Sequence, residues 1–507
     1  MARAVRLYDH LGRTIPARRS QGWDAGGTGR RARHWEASRS SINSLISGEV
    51  PLIRDRTRDV HRKNGWASAG LASFVANAVG KGIRPRPRTE NDELRAHILE
   101  AFEEWTEQSD ADGNEDFYGQ QATICRAQRE GGEAFVRFRD RRPDDGLAVP
   151  LQLQVLEAEL CDASRNEEFG NGRRIRSGVE FNVLGQRVAY HMYREHPGEF
   201  VSLRSAEVVP VPASQVAHVF EVMRPGQIRG IPALATVLAR IYTLDKYDDA
   251  VVERQMLGNM FSGYLRTKGD LDIFGENSES GAPIEEDEDG TPLAGLEPGT
   301  VYKLPDGYEM QFTDPPDVGA AYEQFMRMQL LYFAAGAGVT YEQLTGDLRS
   351  VNFSSIRTGL LEMRRRLEQF QQRVLIFQFC RKVWRRWVET AILSGRIQVP
   401  RSALAGVMRA AWLPPGWDWV DPEKDVRATV REIRAGLTTR AREVAKRQID
   451  VEELDRELAA ERARERELEL VLDSNPSSDG DGSARASALT EPAAGGQGEE
   501  GGAASAA

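Results

Sequence analysis

The stretch from Ser355 to Leu393 restricts what this chain can fold into more than any other. Within IRTGLLEMRRRLEQFQQRVLIFQFCRKVWRRWVETAIL, Ile356, Leu360, Met363, Leu367, Phe370, Val374 and Phe377 recur at alternating spacings of four and three. That is one apolar stripe on a helix. Trp384, Val388 and Ile392 carry it on, with Arg381 as a misfit. A single helix over this span measures about 58 Å at 1.5 Å per residue. Such a length does not fit inside a compact domain, so the pattern predicts an elongated protein or a part of a large assembly. Arg364, Arg365, Arg366, Arg373, Lys382, Arg385 and Arg386 interrupt the span and exclude a transmembrane reading.

Composition narrows the class. The 507 residues have room for about three average domains. Cys125, Cys161 and Cys380 are odd in number and far apart, which supports neither a disulfide framework nor a thiolate metal site. A reducing compartment is the simplest home. The N-terminus is arginine-rich without a continuous apolar run, so it does not read as a secretory signal. The formal net charge of −10 argues against a protein that grips nucleic acid over its whole surface. It leaves room for one that must let the polymer slide.

Residues 1–34 carry eight arginines and five glycines and predict a disordered arm. From Ser38 the pattern turns helical, with a turn at Asn64-Gly65 and an ending at Val79, Gly80, Gly82 and Ile83. Gly80-Lys81-Gly82 lacks the spacing of a phosphate-binding loop and reads as helix termination. A helix from Glu93 to Gln108 follows. Over 131–220 the runs EAFVRFRD, LQLQVLEAEL, VEFNVLGQRVAYHMYR and VAHVFEV predict a mixed, mainly antiparallel β-rich region. His191 and His196, five apart on a strand, point to opposite faces and make poor joint metal ligands. His218 lies in an apolar run and reads as a satisfied core histidine.

RPGQIRGIP (224–232) opens a helix from Pro232 to about Met260. The acidic, glycine-rich insert after FSGYLRT is a loop. Glu285, Asp287, Asp289 and Gly290 imitate half a calcium loop, but Leu296 stands where its last carboxylate is required. A helix over 318–335 follows, broken at Gly336 and Gly338. After the long helix, Asp421 and Pro422 open the first of three short helices: 422–435, 438–448 and 450–470, the last with Asp450 and Glu453 in a capping-box arrangement. From Ser474 a Gly/Ser/Ala-rich tail predicts disorder.

Several of these segments resemble one family. GVTYEQLTGDLRSVNFSSIRTGLLEMRRR is similar to the stretch after the second stem helix of lambda-type portal proteins, the head–tail connectors of tailed bacteriophages. LIRDRTRDVHRKNGWASAGLASFVANAVGKGI, RPGQIRGIP and WDWVDPEK resemble further signatures of that family, in matching order across about 35–470. The resemblance implies a mainly helical α+β portal fold with a β-rich wing subdomain and a small β clip. On this sequence it places the wing at 35–230 and 354–415, stem helices at 231–262 and 318–336, and the clip at 263–317. The channel loop region falls at 337–353 and the crown at 416–470, with a disordered arm (1–34) and tail (471–507). It further implies a homo-dodecameric ring at one capsid vertex, carrying double-stranded DNA in packaging and ejection. Its partners would be the terminase large subunit, the major capsid or scaffold protein and a head–tail adaptor. The site would be the virion, and the host cytoplasm during assembly, with no membrane, no cofactor and no metal.

No Walker A, G-x-S-x-G, H-E-x-x-H or deaminase signature occurs, which weakens an enzymatic reading. The rivals are a capsid or adaptor protein acting only by contact and, less well supported, a packaging enzyme. Two sets of residues are candidates for handling DNA. Asp245, Asp248 and Asp249 share one helix turn in a stem that nets two negative charges, and would form an acidic collar that repels phosphate. A solvated helix face is the alternative. In the loop, Leu344, Leu348 and Val351 would pack against a neighbouring subunit, Asn352 would cap the next helix, and Asp347 and Arg349 would repel and touch phosphate. Alternatively, Asp347 and Arg349 simply pair within the connection.

Overall fold

In the computed structural model, residues 38–199, 207–259, 321–349, 353–416 and 422–470 are described, with the backbone of a few short strands outside these ranges. The tail, most of the arm and most of the clip insert lie outside the described residues, as do Val351, Asn352, Trp417, Trp419 and Asp421. In the arm, β1 (Leu7–Tyr8) pairs with β2 (Thr14–Ile15).

α1 (Ile42–Lys63) and α2 (Gly65–Val79) meet at an elbow made by Asn64. Its side chain caps α2 by accepting from the Ala67 amide at 2.9 Å. Gly80, at a φ of 53°, ends α2 as expected. β3 (Arg84–Pro87) leads to α3 (Asp92–Thr106) and α4 (Phe117–Gly131). α4 has no counterpart among the helices expected from the sequence. Its buried face includes Gln120, Gln121, Gln128 and Arg129, so apolar periodicity is blurred. Gln121 substitutes for a strand, accepting from Ile83 N at 2.7 Å and donating to Ile83 O at 3.1 Å.

The expected β-rich region is two antiparallel sheets. β4 (Glu133–Asp140) lies between β5 (Leu151–Leu156) and β11 (Val216–Phe220). The second runs from β6 (Glu167–Glu168) through β7 (Arg174–Arg176), β8 (Val179–Phe181) and β9 (Arg187–Tyr193) to β10 (Val208–Pro212). A 3₁₀ turn, Ala233–Thr236, then leads into α5 (Leu238–Asn259), where a continuous helix from Pro232 was expected. β12 (Gly263–Thr267) pairs with β15 (Tyr308–Phe312). Between them, β13 (Glu285–Glu286) pairs with β14 (Pro292–Leu293), so part of the acidic insert is a short ladder rather than a loop.

α6 (Tyr322–Ala337) runs through Gly336 and is ended by Gly338, at a φ of 81°. Gly336 is therefore not a break. A Cβ there would overlap a methyl of Val237, so the glycine lets α6 approach the entry of α5. α7 (Tyr341–Thr345) follows. The long helix is continuous from α8 (Phe353–Phe370) through a π segment (Gln371–Cys380) into α9 (Arg381–Leu393). In the π segment hydrogen bonds reach one residue further, and the buried ridge steps by five, from Phe370 to Leu375 to Cys380. This turns Phe377 out to 60% exposure, against its place in the expected stripe, and accounts for the Arg381 misfit. α9 then buries Trp384 and Trp387 against Phe102 of α3, with centroids 5.2 and 5.0 Å away.

α10 (Arg401–Val407) and β16 (Ala410–Leu413), paired with β3, precede three short helices: α11 (Pro422–Arg434), α12 (Arg440–Ala445) and α13 (Val451–Glu467). Asp450 caps α13 through the Glu452 amide, where a capping box with Glu453 was expected.

Candidate functional site

The segment between α6 and α8 is anchored at its base and open at its tip. Thr340 caps α7 and makes a reciprocal box with Gln343, a T-x-x-Q signal that the sequence reading passed over. Leu344 is 2% exposed and seats on Gly70 of α2, where an added Cβ would stand 3.0 Å from its Cδ1. It therefore packs inside its own chain, not on a neighbour as expected. Arg129 holds the same base from α4: its guanidinium donates to Ala337 O at 2.7 Å and lies 4.0 Å over the Phe74 ring. Nothing in the local sequence of Arg129 marks it for this position.

Beyond Gly346 the chain opens to solvent. Leu348 is 61% exposed. Arg349 bonds Asp347 at 2.9 and 3.1 Å and reaches Glu323 of α6 at 3.3 Å. Asp347 and Arg349 thus pair within the connection in the isolated chain. The side-chain hydrogen bond from Arg349 draws the Asp347 carboxyl down to about 2. Val351 and Asn352 lie outside the described residues.

The two helices that flank this segment pack side by side. Arg240 of α5 donates to Gln329 at 2.7 Å and lies 4.3 Å over Tyr332 of α6, and Tyr247 meets Phe325 edge-on at 5.1 Å. The three aspartates of α5 do not act as one cluster. Asp245 accepts from Asn64 Nδ2 at 3.0 Å, Asp248 accepts from the Tyr322 hydroxyl, and Asp249 is exposed. Burial, then the Asp248 contact, raises the Tyr322 phenol to about 12, so it remains a donor. The pair leaves large apolar side chains in solvent: Tyr242 is 56%, Met256 65% and Met328 63% exposed.

RPGQIRGIP folds into the joint that fixes these helices to the sheets. Gln227 closes a turn by accepting from Met223 N at 2.8 Å and donating to Arg229 O at 2.8 Å. Arg229 donates to the carbonyls of Ala158, Cys161 and Ser177 and to Glu133 Oε1. Glu133, fully buried, also accepts from Arg54 at 3.2 Å, His218 at 2.8 Å and Gly230 N at 2.9 Å. Arg187 can only donate to His218 Nδ1, at 2.9 Å, so Nε2 carries the proton given to Glu133. His218 is then the satisfied core histidine expected, and burial pushes its pKa down to about 3. The charges and hydrogen bonds around Glu133 hold it well below the usual carboxylate range against the opposing effect of burial. Gly230 has no room for a side chain, because a Cβ would overlap the carbonyl of Gly132. Every polar group here is consumed by structure, leaving none to act on a ligand.

Among the described residues, Glu157, Glu159 and His196 come close enough to suggest a cation site. Arg58 already occupies it, 2.6 Å from Glu159 and 3.4 Å from Glu157. His191 instead pairs with Glu180 at 3.1 Å, so the two histidines are apart, as expected. No helix among the described residues is long and apolar enough to cross a membrane.

Residues 28–371 match the sequence profile described as phage portal protein, lambda family. The chain is 26% identical to the probable portal protein of Halomonas phage phiHAP-1, over 88% of this chain and 85% of that protein. It is 24% identical to portal protein B of Escherichia phage lambda, over 85% of this chain and 88% of that protein. Among solved structures, it resembles a chain in the neck of an empty gene transfer agent particle, with a TM-score of 0.44 and 13% identity over 83% of this chain and 99% of that one.

Proposed function

This chain belongs to the lambda family of phage portal proteins, and from that premise we propose that it closes into a dodecameric ring at one capsid vertex and conducts DNA in packaging and ejection. As a member of that family it is a structural component of the virion and not an enzyme. On this reading α5 and α6 line the stem, the residues between them form the clip, and α11 to α13 form the crown. The sheets with α8, the π segment and α9 make the wing. The ring docks the terminase large subunit and later a head–tail adaptor, and contacts the major capsid or scaffold protein at its rim.

The observation that carries this reading is the stem pair. Tyr242, Met256 and Met328 stand in solvent beside exposed Val252, Leu331 and Tyr332, as expected of faces that neighbouring copies cover. Native mass spectrometry with negative-stain imaging tests it. A dodecamer mass and rings with an open central channel are expected, whereas a species that stays monomeric across concentration and salt refutes it.

In the ring, 337–353 faces the channel, with Leu344 as its anchor and Leu348, Asp347 and Arg349 toward the tip. Asp245, Asp248 and Asp249 add negative charge to the stem wall, which opposes adhesion of the DNA backbone. The Asp347–Arg349 pair favours a second reading of the tip as a plain connector. Replacing 346–350 by a Gly-Ser bridge separates the two. A loop that manages DNA should leave rings and capsids intact but abolish packaging or retention, while normal yields of infectious particles would make it a connector.

A further inference from the structure

Helix α11 is amphipathic, yet of its apolar ridge only Ile433 is turned toward the rest of the chain. It rests on the body through the half-buried Asp425, Thr429 and Ile433, and Asp425 accepts from Arg357 of α8 at 3.0 Å. Val426 and Val430 lie one position further round and are 43% and 40% exposed, and Leu437, past the Gly436 turn, is 77% exposed. Alongside runs a cationic ridge, Arg427, Arg431 and Arg434, at i, i+4 and i+7, all exposed, with Arg427 also paired to Glu423 of the same helix at 2.8 Å.

α13 has the opposite pattern. Glu453, Glu457 and Glu461 recur at i, i+4 and i+8 on its exposed side, and the same face continues through exposed Arg464 to Leu468, which is 59% exposed. Its remaining N-terminal carboxylates are engaged within the chain: Glu452 by Arg86 at 3.0 Å and Asp455 by Arg440 at 2.5 Å. α13 packs on α12, not along α11. One chain therefore carries an arginine-edged apolar ridge and a glutamate ridge, neither covering the other.

We propose that α11 of one copy packs along α13 of a second copy, arginine ridge against glutamate ridge, and that this joint ties the crown together. The inference rests on the ring reading above and names a contact within it. The two surfaces differ, so the contact is heterologous, the kind that propagates head to tail around a ring and does not close a two-fold dimer. Opposed rows of charge set its register, and the exposed apolar residues supply burial.

Charge reversal in the full-length chain tests this. One variant carries Arg427→Glu, Arg431→Glu and Arg434→Glu, and the other Glu453→Lys, Glu457→Lys and Glu461→Lys. Each alone juxtaposes like charges at every crown joint and should weaken ring association by at least about tenfold at low salt. Mixed one to one, the variants should recover association as alternating rings, which misfolded subunits could not do. Rings as stable as those of the parent from either variant alone would overturn the crown joint and leave the ring reading standing. Recovery only when all six changes share one chain, with none on mixing, would place the pair within a chain and overturn it too. A parent chain that forms no ring would refute both.

Discussion

Replacing Glu133 by glutamine tests whether the joint between sheets and stem depends on a buried charge. Its two oxygens accept from Arg229, Arg54, His218 and Gly230, and all three side-chain donors are almost fully buried. Glutamine fits the volume but has one acceptor oxygen and carries N–H where Oε1 or Oε2 stood. The change therefore leaves Arg229 without a paired carboxylate and Arg54 with only Glu159, 3.8 Å away, and turns a donor toward another donor. Removing one partner of a buried pair costs about 3–5 kcal/mol. For a cooperative unit of roughly 150–250 residues, that lowers Tm by about 6–20 °C. Calorimetry at pH 7.5 on the parent, Glu133→Gln, Arg229→Met and the double variant gives the comparison. The double should lose much less than the sum, because it removes both sides of one interaction. A shift of under about 2 °C for Glu133→Gln, or strict additivity, would show that the cluster is not held by that carboxylate.

Acid should unfold the chain earlier than its carboxylates alone dictate. Burial holds His218 at about 3, and burial with Arg129 and Arg126 holds His61 at about 4; Glu130 stands 3.7 Å from His61. Both pKa values are depressed, so this stability is complete above about 6.5 and is lost as pH falls, by up to about 1.4 kcal/mol per pH unit for each histidine. Urea midpoints at pH 7.5 and 5.0 read it, and equal midpoints refute it. Gly336→Ala should cost about 1–3 kcal/mol by driving a methyl into Val237. Val237→Ala should restore part of that loss in the same melting assay, and no rescue would mean the helices do not cross there. The assembled particle should keep its mass in native spectrometry with EDTA and dithiothreitol, since the three cysteines are free and buried; subunit loss on either treatment would contradict this.

Much of the architecture is readable from the chain because its turns are written in residues with narrow physical uses. Asn64 caps, Gly80 and Gly338 take left-handed or otherwise positive φ, and RPGQIRGIP fits one turn because Gln227, Arg229 and Gly230 each meet a separate constraint. The long helix is readable for the same reason, since its stripe is dense and apolar. α4 is not. Beside Phe117, Ile124 and Cys125 its buried face holds amide and guanidinium groups bonded to backbone, which a count of apolar residues discards, although Asp116 before it and Gly132 after it mark its ends. Gly336 misleads for a related reason: a glycine signals either a break or a close approach, and only the position of Val237 decides. Of the candidate site, the sequence marked the segment but not its fastening. Arg129 lies 208 positions from the carbonyl it holds, and no local pattern announces so distant a contact.

The π segment has a consequence for how the gene tolerates change. In a plain α-helix, loss of one residue swings everything downstream by about 100°. Such a swing at the head of α9 would carry Trp384 and Trp387 out of their seats against Phe102. Within Gln371–Cys380 the helix already holds surplus length, and a deletion there can be absorbed by tightening i→i+5 hydrogen bonds to i→i+4. The ten residues work like a slack link in a drive chain: one link can be taken out and the wheel beyond still meets its teeth.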